Sequence, residues 1–243
     1  MKRVLTGVAI LACITGNAQI KQGTIIYERK ADLHKHMEDE QMKAMVPQFQ
    51  TGNYQLVFKD SITVYKAIPK DEAPDPFDGG GGNHIVIKIS GSGEDGVLYK
   101  NLSSGKQLEQ TALEDKKFII TDTIKQLPWK LTDETQTILN HVCKKATLIT
   151  EKGLNAIAWY AEDIPVAAGP DKFSGLPGAI LMLDVDNAFI AFKATEIQTA
   201  ADTKELKTPT DGKLLTKAEF AKKMDELMGP ADAKGRRIIT RTN

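Results

Sequence analysis

The chain has 243 residues, with 32 Lys and Arg balanced by 32 Asp and Glu, and 41% of its residues are hydrophobic. A formally neutral chain gives no electrostatic reason to expect nucleic acid or an anionic membrane surface as partner. Two cysteines are too few for a disulfide scaffold, and this length suits one sizeable core or two small ones.

Lys2 and Arg3 precede an apolar stretch from Val4 to Ile14, and Gly16-Asn17-Ala18 supplies small residues after it. This is the pattern of a secretory signal peptide cut after Ala18, too short to serve as a bilayer anchor. Lipidation at Cys13 is the rival, since Ile10-Leu11-Ala12-Cys13 loosely resembles a lipoprotein box. A periplasmic or otherwise exported location follows from either. Cleavage leaves about 225 residues, two charges negative once Lys2 and Arg3 are gone, with Cys143 as the remaining thiol. No internal disulfide can then form, and Cys143 is expected as a small buried hydrophobe. No other stretch is apolar for long enough to span a membrane.

The rest is strand-like. Gly23 to Arg29, rich in β-branched and aromatic residues, reads as an opening strand. Tyr54–Phe58 and Ile62–Tyr65 form a hairpin about Asp60-Ser61. Residues 69–83 are a proline- and glycine-rich loop. His84 to Ile89, Val97–Tyr99, Leu108–Gln110 and Phe118–Ile120 are further short strands. Leu127-Pro128-Trp129 leads into another, with the tryptophan filling a core pocket. Lys144–Thr150 pairs with Ala156–Tyr160 across Glu151-Lys152-Gly153. Ala179–Val185 pairs with Ala188–Glu196 about Asp186-Asn187, a corner suited to positive φ. Polarity does not alternate in Ala179–Leu183, so both faces of that strand are expected to be covered, one by core and one by a helix. Thr216 and Glu219 form a capping box for a closing helix with Phe220, Met224, Leu227 and Met228 on one face, stopped by Gly229-Pro230. The basic tail after Lys234 is expected to fray. The fold class is therefore mainly β with flanking helices: a curved antiparallel sheet or open half-barrel and a closing C-terminal helix. One domain runs from residue 19 to 228, followed by a tail over 229–243.

The segment from Leu33 to Met45 holds the donor types that soft or borderline metals accept. His34, His36, Met37 and Met42 are the candidate ligands for copper or zinc, with His84 and His141 able to complete a site if the fold brings them near. The competing reading is a polar surface helix with its methionines packed inward, and the spacing matches no cysteine pair or HExxH motif. Asp184 and Asp186 share a face in an extended strand and form a second cation candidate. Catalytic signals are weak: no nucleophile elbow, phosphate loop or dinucleotide fingerprint is present. His141 and Cys143 are too close along one strand for good general-base geometry. Glu162 and Asp163 read equally as solvated carboxylates.

The block from Ala158 to Leu181 combines an aromatic pair, Trp159-Tyr160, with corners at Pro165, Gly169-Pro170 and Gly175-Leu176-Pro177-Gly178. Gly175 and Gly178 admit backbone angles closed to other residues, Pro177 fixes φ, and Leu176 can plug the core between them. Buried Trp159 needs an acceptor for its indole N–H. This block resembles the GLPGLI family of exported Bacteroidetes proteins, with Ala179 where the family motif has a second leucine. Cys143-Lys144-Lys145-Ala146 resembles an upstream family element. The resemblance covers about residues 23–228 and implies no settled activity. The architecture it implies resembles the open sheets of periplasmic lipid-carrier and lipoprotein-localisation proteins.

Three functions stand. The favoured one is an exported cell-envelope binding or carrier module for an apolar or peptide-like ligand, with an envelope protein as a possible partner and no catalytic role. The alternatives are an envelope copper- or zinc-binding protein using His34 and His36, and an envelope enzyme.

Overall fold

The computed structural model describes residues 20–69, 84–88, 96–113, 116–228 and 237–241. The expected signal peptide, Cys13, residues 70–83 of the loop and residues 229–236 of the tail lie outside them. The strands are β1 (Gln22–Asp32), β2 (Phe49–Lys59), β3 (Ile62–Ala67), β4 (His84–Lys88), β5 (Val97–Asn101), β6 (Lys106–Leu113) and β7 (Lys116–Thr123). There follow β8 (Lys130–Ile138), β9 (His141–Ile149), β10 (Asn155–Ala161), β11 (Ala179–Val185), β12 (Ile190–Gln198), β13 (Lys213–Thr216) and β14 (Arg237–Arg241). Two helices, α1 (Glu40–Met45) and α2 (Lys217–Met228), flank them.

Twelve strands form one sheet in the order β13-β7-β6-β5-β3-β2-β1-β12-β11-β10-β9-β8. Every pairing is antiparallel except β13 with β7. The sheet ends at β8 and β13, so it is open and not closed into a barrel. The expected tight turns hold. Asp60 turns between β2 and β3 with φ 52°, and Asp186 and Asn187 take φ 56° and 51°. The tail differs from expectation: Arg237–Arg241 pairs with His84–Lys88 as a separate two-stranded sheet.

Period-2 alternation decides the faces. Ile25, Tyr27 and Ala31 of β1, and Tyr54, Leu56 and Phe58 of β2, are buried on the inner face, while Glu28 and Lys30 are exposed on the outer one. A flat sheet would hold β5 and β11, five strand spacings apart, about 24 Å from each other. Yet Leu98 of β5 and Tyr65 of β3 share one core cluster with Ile180 and Leu181 of β11. The sheet is therefore curled, and the chain between β10 and β11 fills its inner side.

That connection, residues 162–178, contributes Ile164, Val166, Ala168 and Leu176 to the core and leaves Pro165 and Pro177 exposed. Backbone bonds hold it down: Ile180 N–H donates to Ala168 O at 3.0 Å, Ala179 N–H to Ile164 O at 2.9 Å, and Gly175 N–H to Ala167 O at 3.1 Å. Tyr27 Oη donates to Ile180 O at 2.7 Å, and Trp129 Nε1 donates to Ser174 O at 2.9 Å. This connection covers the inner, core-facing side of β11, and among the described residues no helix packs on that strand, contrary to expectation. Both glycines of the corner are needed, for different reasons. Gly175 has φ +93°, as expected, whereas at Gly178 a Cβ would lie 2.0 Å from the Ala161 carbonyl oxygen. Gly178 is required by close approach, not by its backbone angle.

A second strap crosses the outer face. Between β12 and β13, Ala200 O accepts from Thr24 Oγ1 at 3.4 Å, Glu205 pairs with Lys66 at 2.5 Å, and Asp211 pairs with Lys117 at 2.6 Å. Val57 and Val64 are buried although they do not belong to the inner core cluster. Helix α2 starts at the expected capping box, with Thr216 N–H donating to Glu219 Oε2 at 2.7 Å and Glu219 N–H to Thr216 Oγ1 at 3.2 Å. It packs at the β7 edge through Phe220, whose ring centroid lies 5.8 Å from that of Phe118. No described helix is long and apolar enough to cross a membrane.

Leu176→Ala should cost about 2–5 kcal/mol by emptying a fully packed site, and Gly178→Ala about 3 kcal/mol by forcing a methyl group against backbone. Urea unfolding measures both, and midpoints equal to that of the parent protein would contradict the plugged core.

Candidate functional site

The proposed copper or zinc site is not formed. Among the described residues no group of three or more His, Cys, Asp and Glu side chains is placed to hold a metal ion. The physical reason lies in what the histidines already do. His34 Nε2 donates to the Val46 carbonyl at 2.9 Å. His36 Nε2 meets Asp186 Oδ2 at 2.7 Å, with its ring edge-on to Phe189 at 4.6 Å. Each Nε2 faces an acceptor oxygen, so it carries the hydrogen and has no lone pair for a metal. His141 pairs elsewhere, with Asp163 Oδ2 at 2.6 Å, and His84 lies in β4. The segment is not one helix either. α1 covers only Glu40–Met45, capped by Asp39, and buries none of its residues, so Met37 lies outside it and Met42 is not packed inward.

The Leu33–Met37 turn instead clamps the β11–β12 hairpin. Asp186, Asn187 and Ala188 all have positive φ, at 56°, 51° and 66°, a conformation that disfavours residues with a Cβ. Lys35 Nζ donates to the carbonyls of Asp186 and Asn187, and Asp32 N–H donates to Phe189 O at 2.9 Å. Asp184 Oδ1 accepts from Ala188 N–H at 2.9 Å, so Asp184 and Asp186 both serve the turn.

Of the weak catalytic candidates, none forms a working constellation. Cys143 is buried, and its Sγ lies 3.5 Å from the His141 carbonyl, not the imidazole. Burial, then the nearby Asp163 charge, push its thiol up to about 11. Glu162 pairs with Lys144 at 2.8 Å. Trp159 is half-buried, with Lys145 Nζ 6.0 Å from its ring centroid.

Sequence reasoning missed Lys100. Leu98 points inward, so Lys100, two residues on, must do the same. Its side chain is 2% exposed and its Nζ donates to the Asp171 carbonyl at 2.8 Å. Lys172, next along, pairs with Glu109 Oε2 at 2.7 Å. Burial pulls the Lys100 ammonium down to about 8, against the raising pull of Asp171. Burial would also lower Lys172, but Glu109 and Asp171 outweigh it and hold that group above its ordinary value. These bonds fasten the plug to β5 and β6 and leave the Lys100 amine shut off from solvent.

Among the described residues, an open concavity lies on the outer face. Glu28, Lys30, Phe49, Thr51, Gly52 and Asn53 line a shallow hollow of about 480 Å³. The β1–β2 register builds it, setting Glu28 opposite Asn53 and Lys30 opposite Thr51. Phe49 is 44% exposed, and Lys30 Nζ sits 3.9 Å from its ring centroid. Period-2 reading of β1 places Glu28 and Lys30 outward. The hollow itself was hidden, because β2 begins five residues before the apolar run that marks it in the sequence.

A protein-family profile described as a protein of unknown function (Porph_ging) matches residues 149–182, a short part of the chain. Comparison with curated proteins gives no match. Among solved structures the chain is similar to PNGF-II in two crystal forms, both at TM-score 0.54, with 17% and 15% identity over 84% and 85% of this chain. The chain spans about a third of PNGF-II, 33% of its length, and the likeness is one of fold. An uncharacterized conserved protein from Thermus thermophilus matches at TM-score 0.41 and 7% identity, over 80% of this chain and 90% of its own.

Between about pH 8 and 10.5, Lys100 is neutral in the fold but still charged in the unfolded chain. The unfolded chain binds more protons there, so this group adds stability as pH rises through that window. Cys143 acts oppositely above about pH 9, since the fold holds its proton longer. Subtracting a Lys100→Met variant isolates the lysine: the parent's stability relative to the variant should climb by up to about 3 kcal/mol from pH 7.5 to 10. A flat difference in urea titrations would contradict a buried ammonium.

Proposed function

We propose that this chain is an exported binding module of the cell envelope, without catalytic activity, that takes a peptide-like ligand on the outer surface of its sheet. One observation carries the reading: the inner side of the curled sheet is filled by the chain's own Ile164, Val166 and Leu176, while the hollow beside Lys30 and Phe49 is open. An apolar cargo held inside the sheet would compete with that plug for the same volume. An outer site walled by strands, with one aromatic and charges of both signs, suits a polypeptide better than a lipid chain. Pairing of His36 with Asp186, His141 with Asp163 and Lys100 with a carbonyl supports a non-catalytic role. The N-terminal signal pattern supports export, and the Ala158–Leu181 block supports membership of the GLPGLI family. An envelope protein is the source of such a peptide.

Hydrogen exchange of the mature protein tests this against two fractions of an envelope extract, peptides and lipids. The peptide fraction should slow exchange of sheet amides and the lipid fraction should not. Protection by lipid alone, or by neither fraction, would refute the proposal.

A further inference from the structure

β2 is a stepped strand. It pairs with β1 along its whole length, from Gln22 opposite Lys59 to Asp32 opposite Phe49, but with β3 only from Lys59 back to Tyr54. One more bond, from Ile68 N–H to Asn53 O at 2.8 Å, closes the β3 side. In a strand the N–H and C=O of one residue point the same way, and successive residues alternate. Asn53 faces the β3 side, so Thr51 and Phe49 aim their N–H and C=O there too. Gln48 O faces the other way, accepting from Leu33 N–H at 2.7 Å, which agrees with that alternation. Among the described residues nothing pairs with Thr51 or Phe49 on the open side, and both residues are exposed.

Unpaired edges invite added strands unless they are blunted. The two ends of this sheet are blunted. β8 breaks register between Leu131 and Thr135 and carries Lys130, Asp133 and Glu134, while β13 is four residues long and runs into α2. The β2 step has neither device, and it borders the open hollow.

We propose that this step takes an added strand from an extended peptide carrying an acidic and an apolar side chain two residues apart. This rests on the peptide-binding reading above and locates it. Lys30, opposite Thr51, holds its Nζ 3.9 Å from the Phe49 ring centroid, so a positive charge and an exposed aromatic ring stand together on the outer face of the step. An acidic side chain in the row of Thr51 meets that charge, and an apolar one in the row of Phe49 meets the exposed ring. Ile68, bonded to Asn53, already fills the next row, so the end of β3 stops the added strand there and fixes its register. β2 is antiparallel to both neighbours, so an antiparallel addition reads acid first, then apolar.

Fluorescence anisotropy of the mature protein with N-acetylated Asp-Thr-Phe-Thr-Thr, labelled at its C-terminus, tests this. N-methylating the amides on the pairing side of the peptide should weaken binding at least tenfold, as should Thr51→Pro, which removes a donor that β1 does not use. Lys30→Glu should reverse the preference between the Asp peptide and its Lys counterpart. N-methylation needs no protein variant, so it decides the matter even if Thr51→Pro fails to fold. Equal affinity for the methylated peptide, or no binding of the parent peptide, overturns strand addition at β2. Exchange protection by the envelope peptide fraction at sites other than Phe49–Asn53 overturns it while leaving the peptide-binding reading intact. No protection anywhere overturns both.

Discussion

The fold depends on one stretch of backbone lying inside its own sheet. A twelve-stranded open sheet exposes an apolar inner face that must be covered, and the chain between β10 and β11 covers it. For that backbone to enter the core, its polar groups need partners. The bonds from Ala179, Ile180 and Gly175 to Ile164, Ala168 and Ala167 satisfy them, and Tyr27 of β1 and Trp129, just before β8, reach in to close two more carbonyls. Gly178 lets the return into β11 pass against the Ala161 carbonyl. Leu176 then has one place to go, between strands that a flat sheet would hold far apart.

This arrangement divides the molecule's surfaces by role. The inner face is spent on stability, and its buried lysine fastens the plug. Much of the outer face is crossed by the strap from β12 to β13, which pairs with Lys66 and Lys117. The lower half of the β1–β2 ribbon lies beyond both straps. There the ladder runs past the end of β3, and Phe49, Lys30 and Glu28 stand at the surface. Binding at that ribbon is compatible with an interior filled by the chain's own residues 162–178.

Local signals were legible where chemistry acts between near neighbours. Asp186-Asn187 tolerates a left-handed turn, Thr216 and Glu219 cap a helix, and the alternation in β1, β2 and β10 marks strands. The Gly175-Leu176-Pro177-Gly178 corner could be read as a rigid scaffold because its residue types admit few other conformations. What stayed hidden arises between residues far apart in sequence. His36 and Asp186 are 150 residues apart, and their pairing turns a metal-like donor set into a hairpin clamp. The parallel pairing of β13 with β7 and the crossing of the outer strap leave no periodic trace. The step in β2 arises because β3 is shorter than its neighbour, a difference of strand lengths that composition does not record. Lys100 was legible in principle, since an inward lysine follows from Leu98 by alternation, but only once a strand is known to be covered on that face.

Native-state hydrogen exchange of single amides reaches the central claim most directly. If residues 162–178 are the core of the curled sheet, the amides of Gly175, Ala179 and Ile180 open only with the whole molecule, at the same free energy as the slowest amides of β1. Exchange of those three through a local opening of much lower free energy, while β1 stays protected, would contradict it: the sheet would then hold its shape without the segment inside it.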